Sequence, residues 1–487
     1  MKKSTAISLH IPPKMWSEFR ESMLKSRMFN EEVIGFLFCQ RHQVSKSKIR
    51  YIPKTWVVPA SDCYEHQSTS GLVLKQHFHS YLLENHLQVG LDVVHIHTHT
   101  GQGIPDFSHT DDRYESEYAR FISSNFPKKP YLISGVFDEN LQSGQFRIWD
   151  RKGQKFEYLN FCNSLFEVSK FEDVINHDDS IFARQKIFGK GNQKALNQLK
   201  VLLIGCGGIG SIFAELLGRL GVKNWVLVDP DRLETTNLNR MPSATQEMVE
   251  QQWHKVHYVK HLIKKIYSEG SSVKTIVTTV ESELAKQEIA TCDLIVVATD
   301  NHFSRKTAQE LALQYMRPLV CLGTHIDMKS DNTPRMYCRV TVPPLGGAWC
   351  LMCGNIINLQ RAALESAPLA INQIAANAGY LEGVNDPAVF WLNSICASTG
   401  VGVIHGMVSG FLNVDSGIDW IYEFPDGNWR KTNTEYLQND DCYFCGMGSL
   451  EEVVEDSDFE DSDFEDSDFL GSDVEDSDFD NSDFFVW

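Results

Sequence analysis

The chain has 487 residues, 42% hydrophobic and 11% aromatic, too long for one ordinary core and apolar enough for two or three folded domains. Its net charge of −19 is concentrated at one end, because residues 451–487 hold 17 acidic and no basic side chains, which leaves −2 for the rest. A near-neutral body excludes a basic nucleic-acid surface, and the lack of any run of eighteen apolar residues or of an apolar signal segment after Met1-Lys2-Lys3 predicts a cytoplasmic protein without a membrane span.

In chain order, residues 1–155 alternate strand-like and helical patterns, with a strand at Ala6–Ile11, a helix at Pro13–Ser26 and an apolar strand at Glu31–Phe38. A further strand at Asp92–His99 ends in His97-Thr98-His99, and a glycine-containing loop leads to Ser108-His109-Thr110-Asp111. Two imidazoles two residues apart at a strand end, with a carboxylate a short loop later, can converge on one zinc and leave a fourth position for water. Pairing His95 with His97 instead would lengthen the gap to Asp111.

These residues resemble the JAB/MPN+ (JAMM) metallopeptidases, whose signature is a distant Glu, an H-x-H and an S-x-x-D. The resemblance implies an α/β domain with His97, His99 and Asp111 as zinc ligands and Ser108 assisting the oxyanion. It makes Glu32 the general base in hydrolysis of a peptide or isopeptide bond. A metal-free form of the domain, used only for binding, is the alternative.

Residues 156–180 are polar, carry a helical pattern at Phe161–Asn176 and a break at His177–Ser180, and read as a linker. From Val201 to Asp229 the chain reads strand, glycine turn, helix, strand, with Gly205, Gly207, Gly208 and Gly210 in the turn and Asp229 ending the second strand. The glycines let backbone approach phosphates, the helix N-terminus offers free N–H groups to an anion, and the acid can hold a ribose hydroxyl. A helix is expected over Gln251–Ile266, and a strand at Asp293–Ala298 delivers Asp300 to a sheet edge, where a helix N-cap role is also open to it. His254, His257 and His261 on the first of these helices read as a solvated face. Cys350-x-x-Cys353 and Cys442-x-x-Cys445 form two pairs with the spacing of a closed, structural four-cysteine zinc site.

Asp229-Pro230-Asp231 followed by Asn237-Leu238-Asn239-Arg240 resembles the ThiF/MoeB/HesA adenylyltransferases, the superfamily that includes the ubiquitin-activating enzymes. Over 181–448 the resemblance implies a Rossmann-like domain using ATP and Mg2+, with Asp231, Asn237, Arg240 and Lys255 at the nucleotide and Asp300 attending Mg2+ and the α-phosphate. Arg240 and Asp300 are then catalytic as well, and Arg184, in an Arg-Gln pair, reaches the ATP of a partner across a homodimer. The implied substrate is a ubiquitin-like or sulfur-carrier protein with a C-terminal glycine, in one case handed on to a conjugating enzyme. A nucleophilic cysteine is not evident, since Cys206, Cys321, Cys338 and Cys396 all read as small buried residues. Residues 449–487 repeat a Ser-Asp-Phe unit and read as a disordered acidic tail, with a short pentapeptide-repeat β-helix as the alternative.

The whole reads as an α/β chain, a JAB/MPN-like domain followed by a ThiF-type domain. The expected function is bifunctional: adenylation of a ubiquitin-like protein in a prokaryotic modification system, and zinc-dependent processing or removal of the same protein. Sulfur-carrier activation and a non-catalytic scaffold are the alternatives.

Overall fold

A computed structural model describes residues 6–27, 31–45, 48–69, 71–100, 105–163, 165–166, 179–267, 269–328, 332–367, 387–439, 442–445 and 451–454. The chain divides into two compact units, the first made of Met1–Asn163 with Gly448–Trp487, the second of Ser164–Met447.

The first unit is built on one mixed sheet. Its strands β1 (Ala6–His10), β2 (Ile34–Ser45), β3 (Lys48–Pro59), β6 (Asp92–Thr98), β7 (Leu132–Phe137), β8 (Gly144–Trp149) and β9 (Phe156–Cys162) lie in the order β1-β9-β8-β7-β6-β2-β3, and β1 also pairs with β3. A separate hairpin joins β4 (Tyr64–Gln67) to β5 (Leu72–Leu74). All seven residues of β6 are buried, which is why Val93, Val94 and Ile96 put apolar side chains on both of its faces. Trp16, Phe19 and Met23 of helix Pro13–Lys25 cover one face of the sheet, and Tyr118, Ala119 and Ile122 of helix His109–Asn125 cover the other. That second helix is the crossover between the parallel strands β6 and β7, so its N-terminus sits at the carboxyl end of β6.

The first unit extends past the expected boundary at residue 155. Phe156–Cys162, placed in the linker and partly in a helical pattern, is strand β9, hydrogen-bonded to β8 and to β1. Pairing on both sides overrides the local helical periodicity. Of the expected helical pattern Phe161–Asn176, residues 164 and 167–176 lie outside the described residues.

In the second unit β10 (Lys200–Ile204), β11 (Asn224–Val228), β12 (Ser272–Ile276), β13 (Leu294–Val297) and β14 (Leu319–Met328) are parallel, followed by antiparallel β15 (Pro334–Val342), β16 (Ile418–Phe424) and β17 (Asn428–Lys431). Their order is β12-β11-β10-β13-β14-β15-β16-β17. Helices Gly208–Leu220, Lys255–Ile266 and Phe390–Ser409 pack on one face, and Glu283–Thr291 and His302–Gln314 on the other. The strand order reverses between β10 and β13, and in such sheets the crevice outside the carboxyl ends at that point binds ligand. The helix expected from Gln251 begins at Lys255.

Strand β18 (Glu451–Val454) runs parallel to β3 at the edge of the first unit's sheet, with Glu451 opposite Trp56 and Val454 opposite Pro59. The first residues assigned to an acidic tail therefore form sheet, because Val453-Val454 continues a ladder whose backbone partners are already in place. The Ser-Asp-Phe repeats beyond it lie outside the described residues.

Candidate functional sites

In the second unit a cavity of about 650 Å3 opens at the carboxyl ends of β10, β11 and β13. Gly205, Gly207, Gly208, Asp229, Asp231, Asn237, Arg240, Lys255 and Asp300 all line it, so nine of the residues singled out in the sequence converge from separate elements. The glycine turn is held by Asp229, whose carboxylate accepts from Cys206 N at 2.7 Å and from Asp231 N at 2.8 Å. Burial pushes the Asp229 carboxyl up from its ordinary pKa, opposed by Lys255 and by those two N–H groups. Lys255 Nζ lies 2.8 Å from Asp231 Oδ2. Burial works against the Lys255 charge, but Asp229 and Asp231 outweigh it and raise its pKa.

Not all the glycines serve the same purpose. Gly205 adopts φ +92°, in the left-handed region that favours glycine. A Cβ on Gly210 would meet the Gly205 carbonyl oxygen at 1.9 Å, whereas one on Gly207 would meet nothing within 4 Å. Gly210 thus closes the turn against the helix, and Gly207 leaves space open to the cavity.

The N-cap of helix His302–Gln314 is Asn301, which accepts from Ser304 N at 2.8 Å, so Asp300 is left to the cavity. Arg184 is exposed on the 3-10 helix Asp179–Phe188 and does not line the cavity of its own chain. Cys206, Cys321, Cys338 and Cys396 are all buried, and burial pushes the Cys206 and Cys321 thiols up, as expected of packing residues. Sequence reasoning missed Arg305, Thr324 and Asn393, which also line the cavity. No motif marks them, since β14 and helix Phe390–Ser409 bring Thr324 and Asn393 within 3.1 Å only in the fold.

The four cysteines come together as the spacing predicts, with sulfur separations of 3.7 Å for Cys350–Cys353, 3.6 Å for Cys350–Cys442 and 3.6 Å for Cys353–Cys445. Zinc–sulfur bonds of ~2.3 Å put tetrahedral edges at about 3.8 Å. The cluster therefore fits a closed zinc site.

In the first unit His97, His99 and Asp111 also converge. His97 Nε2 is 3.2 Å from His99 Nε2 and 3.3 Å from Asp111 Oδ1, and His99 Nε2 is 3.5 Å from Asp111 Oδ2. Zinc bonds to nitrogen or oxygen of ~2.0–2.1 Å give tetrahedral edges of about 3.3 Å, so this donor set fits zinc as well. His97, the penultimate residue of β6, lies opposite Ile34 of β2, and Glu32 lies just before that strand, 7% exposed. Burial raises the Glu32 carboxyl to a pKa of about 7. Asp111 is held well below the usual carboxylate range: burial opposes this, but His97 and Ser108 outweigh it.

Ser108 is the N-cap of helix His109–Asn125, its hydroxyl accepting from Asp111 N at 3.2 Å while Asp111 Oδ2 accepts from Ser108 N at 2.5 Å. The S-x-x-D signature is thus a capping box that fixes the Asp111 carboxylate. His95, weighed as an alternative ligand, points to Ser134 Oγ at 2.8 Å and is fully buried.

Comparison with known proteins locates the family resemblance. Residues 182–367 match the ThiF family. The chain is 29% identical over 184 residues to the sulfur carrier protein ThiS adenylyltransferase of Bacillus subtilis, covering 36% of this chain and 54% of that protein. It is 27% identical over 248 residues to the adenylyltransferase and sulfurtransferase MOCS3 of Aedes aegypti, covering 47% and 54%. Molybdopterin-synthase adenylyltransferase of Escherichia coli is 24% identical over 277 residues, 57% of this chain and 98% of that protein. The chain spans about half the length of the first two relatives. Among the described residues no helix is long and apolar enough to cross a membrane.

Proposed function

We propose that the second unit adenylates the C-terminal glycine carboxylate of a small ubiquitin-like or sulfur-carrier protein. The observation that carries this reading is the cavity at the β10/β13 switch point, where a glycine turn meets the cations Arg240, Lys255 and Arg305 and the carboxylates Asp229, Asp231 and Asp300. ATP and Mg2+ are its proposed cofactors. A carboxylate oxygen attacks the α-phosphorus and pyrophosphate leaves. Arg240 and Lys255 neutralise the phosphate charge that would otherwise oppose the attack. Asp229 orients the ribose, Asn237 and Asp231 hold the cations' surroundings, and Asp300 attends Mg2+ and the α-phosphate. Arg184, exposed and away from its own cavity, serves the partner's site in a homodimer.

For the first unit we propose a JAMM-type zinc peptidase that trims the same partner or releases it from targets, supported by the fit of His97, His99 and Asp111 to zinc. When bound, the zinc lowers the pKa of a water towards about 7. Glu32 takes the proton from the attacking water and returns it to the leaving amine. Ser108 donates its hydroxyl proton to the carbonyl oxygen as charge develops there. The cysteine cluster takes a second, structural zinc. Two such chemistries on one chain serve a prokaryotic ubiquitin-like modification system, because both act on one protein tail.

The names of two relatives, one a sulfur carrier protein adenylyltransferase and one an adenylyltransferase and sulfurtransferase, favour a second reading, in which the partner is a sulfur carrier; its product would be a thiocarboxylate. Purifying the Glu32→Ala chain from its host and measuring intact mass, with and without reductant, separates them. A reductant-labile adduct the size of a small protein supports conjugation. Its absence with ATP–pyrophosphate exchange intact supports the sulfur carrier, and absence of both overturns adenylation.

A further inference from the structure

Beneath the candidate zinc site lies a buried ionic cluster that neither proposed activity uses. Arg147, at the middle of β8, is 1% exposed, and Glu115, on helix His109–Asn125, is 0% exposed. Arg147 Nε donates to Glu115 Oε2 at 2.7 Å, its Nη1 donates to Asp112 Oδ1 at 2.5 Å, and its guanidinium lies over the ring of Phe107 at 3.7 Å. Trp149 Nε1 donates to the same Glu115 oxygen at 2.7 Å.

These contacts bracket the S-x-x-D turn. Phe107 precedes Ser108, Asp112 follows Asp111, and Glu115 stands four residues beyond Asp111, on the same helical face one turn along. A planar guanidinium that meets two carboxylates and a ring at once sets both the rotation and the axial position of the helix start. On the other side, Glu115 Oε1 lies 3.7 Å from His95 Nε2, and the His95 ring is stacked 5.7 Å from His97 at an interplanar angle of 7°. The cluster therefore touches both elements that carry the candidate metal ligands.

Stability does not explain it. A buried ion pair gives little net stability compared with apolar side chains of similar volume, and Phe107, Trp149 and Phe156 around Arg147 would accept a methionine. What an apolar core cannot supply is a fixed direction for Asp111.

We propose that Arg147, acting through Glu115 and Asp112, is a positioning residue that holds Asp111 towards His97 and His99. This rests on the zinc reading of the first unit. The test is zinc affinity in the full chain, by competition with a chelator, for Arg147→Met and for Arg147→Met/Glu115→Gln, the second variant leaving no unpaired buried carboxylate at residue 115. Thermal melting of the first unit reports whether each variant is folded there, and pyrophosphate exchange reports that the second unit is intact. The expected result is one zinc released at chelator concentrations ~10–100-fold below those the wild type withstands, the usual scale for lost outer support of a ligand. The second zinc stays in the cysteine cluster and pyrophosphate exchange is unchanged. A folded double variant that keeps two zincs with wild-type affinity overturns the proposal. Should both variants fail to fold, Phe107→Leu, which removes the ring that lies under Arg147 and meets His97 edge-on, must still weaken one zinc, and wild-type affinity there overturns it too. A wild-type chain with one zinc, lost on Cys442→Ser, would overturn the zinc reading itself and this inference with it.

Discussion

Replacing Gly207 and Gly210 in turn by alanine separates the part of the glycine turn that folds the protein from the part that faces ligand. At Gly210 the new Cβ would sit 1.9 Å from the Gly205 carbonyl oxygen and 3.0 Å from its carbon, both backbone atoms that no rotamer change can move. An ordinary carbon–oxygen contact needs more than about 3 Å, so turn and helix must part by about 1 Å, and overpacking of this kind costs ~1–3 kcal/mol. For a unit of this size, each kcal/mol lowers the melting temperature by ~2–4 °C, giving a fall of roughly 2–12 °C. At Gly207 φ is −80° and nothing lies within 4 Å of the new Cβ, so stability should stay within about 0.5 kcal/mol of wild type. The methyl group would instead occupy the space a phosphate needs, and ATP affinity should fall ~10–100-fold, about 1.4–2.7 kcal/mol. Thermal melting with and without ATP, alongside ATP–pyrophosphate exchange, reads both effects, since bound nucleotide raises the melting temperature by mass action. Wild-type melting of Gly210→Ala would show that the close approach is not there. Full ATP affinity in Gly207→Ala would remove the phosphate from this face of the turn.

Lys255→Ala should raise the KM for ATP and slow pyrophosphate exchange by ~100-fold or more, because the cavity loses a cation beside Asp229 and Asp231; a change below threefold would take Lys255 out of the phosphate site. Glu32→Gln should abolish peptide cleavage while both zincs and pyrophosphate exchange remain, measured by metal analysis on the same sample. Cys442→Ser should remove one zinc per chain and lower the melting temperature of the second unit without altering the metal held by the first. Asp419 supplies a pH prediction. It accepts from Arg339 Nε at 2.7 Å and Nη2 at 2.9 Å and from Thr341 Oγ1 at 2.9 Å. Burial alone would raise its pKa, but the Arg339 and threonine hydrogen bonds outweigh that and hold it below the ordinary value of 3.8. A depressed folded pKa means the contribution is complete above the unfolded value of ~3.9 and is lost as pH falls through the folded one. Asp419→Asn should therefore cost ~3–5 kcal/mol at pH 7, as broken buried pairs do, with the deficit shrinking below about pH 4; a deficit constant from pH 7 to pH 3 would contradict the ionic account.

What the sequence determined by itself was chemistry written at short range. The glycine turn and Asp229 belong to one strand-turn-helix-strand unit, where local spacing dictates geometry. The two C-x-x-C pairs and the H-x-H with S-x-x-D were legible because metal ligation needs few residue types at narrow spacings, and the structure brings each set within ligand reach. The boundary near residue 155 was misplaced because β9, although joined to β8 by a local hairpin, is fixed in the sheet by its pairing with β1 far earlier in the chain, which leaves no local mark. The same holds for Glu451–Val454, which an acidic, repetitive context hides and a long-range ladder with β3 defines. Only the tertiary fold showed Arg305, Thr324 and Asn393 at the cavity beyond β10 and β13 and Arg147 beside the S-x-x-D turn. Such residues have no spacing to one another in the chain. Their partners are chosen by how strands stack and where a crossover helix lands, and a buried arginine looks like any surface arginine until the carboxylates that neutralise it are in place.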